Sequence, residues 1–287
     1  MRVRHFHSIM YLPSSPGPIG VFDSGYGGLT ILEAIRAQLP EYDYLYLGDN
    51  ARAPYGSRSF ELVYEFTRQA VIKLFEMGCH LIILACNTAS AKALRTIQQN
   101  DLPMWDKQRR VLGVIRPTVE ALGSITRNGH VGILATEGTI RSESYAIEIR
   151  KTYPTVQVTG EACPFWVPLV EYNEADSQGA DYFVHKRINN LLTRDPLIDT
   201  LVLGCTHYPL LMPKIRQFAP EGTHIMAQGV HVAESLADYL QRHPEINQRC
   251  TQGGRTHYLT TEQPEKFQQN AHTFLRTDIR AEHIDLD

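Results

Sequence analysis

Leu81-Ile82-Ile83-Leu84-Ala85-Cys86-Asn87-Thr88-Ala89 decides how this chain folds. An unbroken apolar run of strand length needs cover on both faces, as in the parallel sheet of an α/β protein. The run then ends on a thiol and two polar side chains, followed by helix-forming residues. Leu201-Val202-Leu203-Gly204-Cys205-Thr206-His207-Tyr208 has the same form. Each is preceded by a second echo, Gly20-Val21-Phe22-Asp23-Ser24-Gly25 in the first half and Gly132-Ile133-Leu134-Ala135-Thr136-Glu137-Gly138 in the second. The offsets nearly agree, 113 residues from Asp23 to Thr136 and 119 from Cys86 to Cys205. A cysteine at the exit of each run makes internal duplication a better account than chance likeness between apolar strands.

Outward from these runs, strands and helices alternate. A strand at 19–22, a polar turn at 23–28 and a helix at 29–39 open the pattern. It continues with a strand at 44–47, a helix at 60–77, a strand at 81–85 and a helix at 89–99. After a polar connector at 103–110 carrying Trp105, strands are expected at 111–115 and 131–134, and helices at 141–151 and 180–193 around a strand at 156–159. The class is therefore α/β: two similar lobes, each a mostly parallel sheet flanked by helices, related by pseudo-symmetry with the active site between them. The 287 residues suffice for two lobes of ordinary size. Residues 1–18, with Arg2, Arg4, His5 and His7 and then a Ser/Pro cluster, read as a disordered leader without the apolar stretch of a secretory signal. Residues 19–114 with 227–287 form the expected first lobe, and 115–226 the second.

Composition narrows the function. The chain is 43% hydrophobic and 21% charged with a formal charge of -3, so it offers no basic field for nucleic acid. No apolar run approaches the roughly 20 residues of a membrane-spanning helix, so no membrane partner is expected. Five cysteines, an odd number in a long chain, argue for reduced thiols in a cytoplasm rather than a disulfide framework. The histidines are scattered singly, against a zinc site, and no metal is expected. The turn Gly25 to Gly28 lacks both the dinucleotide spacing and the Lys of a phosphate-binding loop. No cofactor is evident, and a homodimer stays open.

In open parallel sheets, ligands bind beyond the carboxyl ends of the strands. Asp23-Ser24, Cys86-Asn87-Thr88 and Cys205-Thr206-His207 all fall there. Two facing lobes would set two thiols on opposite sides of one ligand, which suits removal of a proton from one face of a carbon and its return to the other. The weakly acidic α-proton of an amino acid demands donors aimed at the carboxylate, which Asn87, Thr88 and Thr206 supply in type. A thiol acting as base must become a thiolate and needs a polar neighbour. His207 lies two residues beyond Cys205, Asp23 ends a strand in the Cys86 lobe, and Glu171 follows the apolar stretch 165–170. Cys79, Cys163 and Cys250 read as small core residues.

The stretches Val21-Phe22-Asp23-Ser24-Gly25-Tyr26-Gly27-Gly28, Pro54-Tyr55-Gly56, Ala85-Cys86-Asn87-Thr88-Ala89 and Gly204-Cys205-Thr206-His207-Tyr208-Pro209-Leu210-Leu211 together resemble the glutamate racemases of the aspartate/glutamate racemase family. The likeness runs over nearly the whole chain from Ile19 and includes Ala135-Thr136-Glu137-Gly138-Thr139, residues 163–171 and a tail around Tyr258. It implies two racemase lobes, no cofactor, and supply of D-glutamate for peptidoglycan. By matching positions it implies that Cys86 acts on D-glutamate and Cys205 on L-glutamate, with Asp23 assisting the first and Glu171 and His207 the second. Substrate contacts would come from Asp23, Ser24, Tyr55, Gly56, Asn87, Thr88, Thr206 and His207. Three stretches depart from the pattern: the leader, Val114-Ile115-Arg116-Pro117 where an acidic or small residue often precedes the proline, and Met226-Ala227-Gln228-Gly229 where an Asp-Ser-Gly-like turn is usual.

Three other readings compete. An aspartate racemase would share nearly all the chemistry, and Thr206-His207-Tyr208 favours glutamate over it. A cysteine-nucleophile amidohydrolase would use one thiol covalently. An inert binder on the same frame would use neither.

Overall fold

The computed structural model describes residues 13–286, and residues 1–12 of the expected leader lie outside the described residues. Among the described residues, ten strands form two sheets in which neighbouring strands run parallel: β1 (Ile19–Asp23), β2 (Tyr44–Gly48), β3 (Leu81–Leu84), β4 (Arg110–Gly113), β5 (His130–Ala135), β6 (Gln157–Ala162), β7 (Thr200–Gly204), β8 (His224–Met226), β9 (Thr256–Thr260) and β10 (Ala281–His283). The first sheet has the order β10-β9-β2-β1-β3-β4, and the second β6-β5-β7-β8. The inner order β2-β1-β3-β4 recurs strand for strand as β6-β5-β7-β8, which is the duplication the cysteine echo suggested. The chain leaves the first sheet after Gly113, builds the second, and returns through β9 and β10.

The strands buried on both faces are the ones with unbroken apolar runs. Every residue of β1, β2, β3 and β7 is buried. Helices cover the faces by presenting residues at helical spacing. In Phe60–Glu76, Val63, Thr67, Ala70, Val71 and Leu74 face inward, and the Ser59 hydroxyl accepts from the Leu62 N–H at 3.2 Å to start the helix. In Gln178–Arg194 the Ser177 hydroxyl does the same for the Ala180 N–H, and Ala180, Val184, Ile188 and Leu191 pack on the second sheet. Trp166 is fully buried there, edge-on to Tyr208 at 4.8 Å between ring centres.

Several boundaries differ from expectation. The strand expected at 111–115 ends at Gly113 and belongs to the first sheet, while Ile115 begins a helix, Ile115–Leu122. Pro117 sits in the first turn of that helix, where its missing N–H has no intrahelical acceptor to lose. The helix expected at 89–99 is interrupted at Ala93 and runs into a wider π turn, Ile97–Asp101. That expected at 141–151 divides into Glu137–Arg141 and Ser144–Thr152, with Glu143 between them in the left-handed region at φ 53°. Trp105 closes a short helix, Leu102–Trp105, and packs on Phe75 rather than sitting in a polar connector. Residues 13–18 are not the loose leader expected. Gly17 exchanges backbone bonds with Arg249 and Thr251, His80 bonds the Ser15 carbonyl, and the fully buried Arg109 donates to the Pro13 carbonyl. Among the described residues, no helix is long and apolar enough to cross a membrane.

Candidate active site

The carboxyl ends of the two sheets meet. β1 and β3 are neighbours, so Asp23 and Cys86 leave adjacent strands of the first sheet; β5 and β7 are neighbours, so Thr136 and Cys205 do so in the second. Across the seam the Thr88 and Thr136 hydroxyls are hydrogen-bonded at 2.9 Å, and the Gly138 N–H donates to the Gly56 carbonyl at 2.8 Å. The turn after β1 lies against the loop after β7. Thr30 donates its hydroxyl to the Thr206 carbonyl at 3.1 Å, and a Cβ on Gly27 would stand 2.2 Å from Thr206 Oγ1 and 2.4 Å from His207 Nδ1. Only glycine admits so close an approach.

Cys86 is the N-cap of the helix Asn87–Lys92, its sulfur 3.4 Å from the Ala89 N–H and 3.3 Å from Ser24 Oγ. It is 6% exposed. Burial, with the neighbouring Asp23 charge adding to it, pushes the Cys86 thiol up to about 12, against the lowering contacts from Ser24 and Ala89. Asp23 is buried as well. Its Oδ2 accepts from the Gly25 N–H at 3.0 Å, while Oδ1 has no hydrogen-bond partner among the described residues. Burial raises the Asp23 carboxyl, a tendency that nearby His207 and the backbone donors of Gly28 and Gly25 oppose.

Cys205 has the opposite kind of neighbour. Its sulfur lies 3.9 Å from His207 Nδ1, and His207 Nε2 lies 2.9 Å from Glu171 Oε1. Burial alone would lower the imidazole, but Cys205 and Glu171 outweigh it and raise His207 to about 10. Glu171 ends the helix Trp166–Glu171, and its Oε1 would stand 3.7 Å from a Cβ on Gly25 of the facing lobe. Cysteine, imidazole and carboxylate thus form a relay on one side of the seam, and cysteine, hydroxyl and buried carboxyl a different one on the other. Cys79, Cys163 and Cys250 are also free and buried, but pack in the hydrophobic cores of the two lobes.

Asn87, Thr88 and Thr206 are all buried at the seam. Tyr55 is buried beside them with its hydroxyl donated to Asp49, so it has no free hydroxyl proton for a ligand. Gly56 contributes its main chain, and a Cβ there would meet Thr136 at 2.9 Å. Several residues at the seam were not singled out from sequence. Thr136 and Thr139 bond each other at 3.0 Å and both approach Thr88. Asn50 has an Nδ2 beside Gly25 with no hydrogen-bond partner among the described residues. Tyr145 and Gln228 bond Asn87, and Thr118 bonds Gln228 behind them. Thr136 had two signals in the sequence, its echo of Asp23 and its place in the stretch Ala135-Thr136-Glu137-Gly138-Thr139. Among the described residues, no three His, Cys, Asp or Glu side chains are grouped as a metal site.

Known proteins share this chain's sequence pattern and fold. Residues 29–271 match the family described as Asp/Glu/Hydantoin racemase. The chain is 40% identical to a glutamate racemase of Ruegeria sp. (strain TM1040) over 274 residues, covering 92% of this chain and 98% of that one. Among solved structures, a glutamate racemase isoform from Bacillus anthracis superposes with a TM-score of 0.86 at 33% identity, covering 94% of this chain and 98% of that one. A glutamate racemase from Francisella tularensis in complex with D-glutamate does so at 0.84 and 30%, covering 95% and 98%.

Proposed function

We infer, from the premise that this chain belongs to the Asp/Glu/hydantoin racemase family, that it is an amino-acid racemase interconverting L-glutamate and D-glutamate. The observation that carries the mechanism is the pair of strand-end thiols. Cys86 and Cys205 leave equivalent strands, β3 and β7, of two sheets with the same inner order, and each has its own polar partner.

We propose a two-base reaction without a cofactor. With L-glutamate bound, the Cys205 thiolate takes the α-proton from one face while the Cys86 thiol gives its proton to the other; with D-glutamate the roles exchange. His207, held protonated and oriented by Glu171, faces the Cys205 sulfur with a positive charge when that sulfur is ionised. Asp23 and Ser24 serve Cys86. A thiol raised to about 12 is a reluctant thiolate but a strong base once formed, so ionisation requires a proton acceptor close by. The unpartnered Oδ1 of Asp23 suits either that task or the substrate ammonium. Asn87 orients glutamate by its already charged α-carboxylate, and Thr88, Thr206 and the main chain at Tyr55–Gly56 supply the polar contacts that stabilise charge developing there in the transition state. The setting we propose is the cytoplasm, consistent with five cysteines that are all free, and the product is D-glutamate for peptidoglycan.

Each enantiomer, incubated alone without added cofactor and followed by chiral chromatography, should give the other. Aspartate should compete weakly. Because the two enantiomers are equal in free energy, kcat/KM is equal in the two directions for any variant. Cys86→Ala and Cys205→Ala should therefore each lower both directions together, by roughly 10²–10⁴-fold for loss of one acid-base group. Racemisation surviving either change would refute the two-base reading, and release of ammonia would indicate a hydrolase.

A further inference from the structure

Two of the three stretches that depart from the family pattern border one buried cluster beside Cys86. Gln228, in the departing turn 226–229, is 2% exposed. Its Nε2 donates to Thr118 Oγ1 at 2.8 Å and to the Tyr145 hydroxyl at 2.7 Å, and its Oε1 accepts from Asn87 Nδ2 at 2.6 Å. Thr118 directly follows the other departing stretch, Val114-Ile115-Arg116-Pro117. The Tyr145 hydroxyl donates to Asn87 Oδ1 at 2.7 Å, closing a ring of three side chains.

The direction of every bond in this ring follows from one fixed end. Thr118 gives its hydroxyl proton to the Val114 carbonyl at 2.7 Å, and a carbonyl can only accept. The Thr118 oxygen is therefore an acceptor toward Gln228, which puts Nε2 on that side and Oε1 toward Asn87. Asn87 must then present Nδ2 to Gln228 and Oδ1 to Tyr145. An amide otherwise free to turn over is held in one orientation, one N–H used and the other without a protein acceptor among the described residues.

We propose that Gln228 is a positioning residue: through Thr118 and Tyr145 it sets the Asn87 amide so that its second N–H is kept for the substrate carboxylate, one residue from Cys86. The proposal rests on the reading above that Asn87 touches substrate. It also joins the lobes, since Asn87 follows β3 of the first sheet while Tyr145 lies on the helix Ser144–Thr152, which packs on the second.

The test is a double-mutant cycle in the full-length protein. Gln228→Met keeps the volume and removes the hydrogen bonds. It should lower kcat/KM by about tenfold, the worth of one oriented hydrogen bond. The loss should appear mainly in KM, because the carboxylate is already charged in the ground state, with kcat within about threefold. In an Asn87→Ala background the same change should cost less than about twofold, since Gln228 would have nothing left to orient. A folded Gln228→Met enzyme with wild-type KM, or an undiminished loss in the Asn87→Ala background, would overturn the proposal. If Gln228→Met does not fold, Thr118→Val removes the fixed end alone and should raise KM by about threefold, again only when Asn87 is present; no change would overturn it. Asn87→Ala with unchanged kcat/KM would instead overturn the substrate contact, and the proposal with it.

Discussion

Replacing Glu171 by Gln should lower the titration of His207 by about one pH unit. In the wild type the imidazole is raised to about 10 although burial opposes its charge, with Cys205 the larger raising influence and Glu171 the next. Gln keeps the size and an acceptor oxygen at the position now 2.9 Å from Nε2 but removes the charge. A hydrogen bond to a charged partner contributes roughly 1.5–3 kcal/mol and a neutral one roughly 0.5–1.5, so the difference is about 1–1.5 kcal/mol. At 1.36 kcal/mol per unit this is about one unit. The Glu171 side chain is 27% exposed, which screens the charge and keeps its effect at the lower end of that range. The sign for stability follows. A histidine raised on folding contributes stability that is complete below its unfolded value of 6.5 and is lost as pH rises toward about 10. Glu171→Gln should lose it at lower pH. The assay is NMR titration of imidazole nitrogens, with the His207 signal identified by its absence in His207→Asn, alongside urea unfolding at pH 6 and pH 9. Cys205→Ser should lower the titration further than Glu171→Gln. A His207 signal unmoved by Glu171→Gln would refute the relay.

Gly27→Ala should both destabilise and inactivate, because the new Cβ would lie 2.2 Å from Thr206 Oγ1 and 2.4 Å from His207 Nδ1. Overpacking of this kind costs about 1–3 kcal/mol, read by thermal unfolding, and wild-type kcat/KM in that variant would contradict the seam geometry. Cys79→Ala, Cys163→Ala and Cys250→Ala, each made singly, should leave turnover close to wild type while lowering the melting temperature, since each thiol is buried in a hydrophobic core and the Cys163 and Cys250 sulfurs are turned to the Glu161 and Ile246 carbonyls. A loss of activity without a loss of stability in any of the three would place a further working thiol in the protein.

The parts of this architecture legible in the sequence are those whose signal is local. The runs at β1, β3, β5 and β7 are apolar on both faces and end on polar groups, so their place in two parallel sheets and the strand-end position of Cys86 and Cys205 could be read directly. The recurrence of strand order could be suspected only from the echo, because order is set by crossovers and not by any strand's own residues. Tyr145, Gln228 and Thr118 were not legible as site residues. Tyr145 and Gln228 reach Asn87, and Thr118 reaches Gln228, from three separate elements, and each is an ordinary helix or turn residue in its own neighbourhood. The helix interruption at Ala93 was equally hidden, since Ala89-Ser90-Ala91-Lys92-Ala93-Leu94 favours an unbroken helix. At the chain's start, Ser/Pro composition suggested a loose segment, whereas the buried guanidinium of Arg109, distant in sequence, donates to the Pro13 carbonyl and helps hold residues 13–18 in place.

The central claim, that two thiols on opposite faces exchange roles, is tested most directly by the first turnovers in D₂O. L-Glutamate should yield D-glutamate carrying one deuterium at Cα while the remaining L-glutamate stays protonated, because the deuteron comes from Cys86 and the abstracted proton stays with Cys205. The D-glutamate reaction should mirror this. Deuterium entering the unreacted enantiomer as fast as product forms, or product that keeps its original proton, would mean a single base serves both faces and would contradict the account.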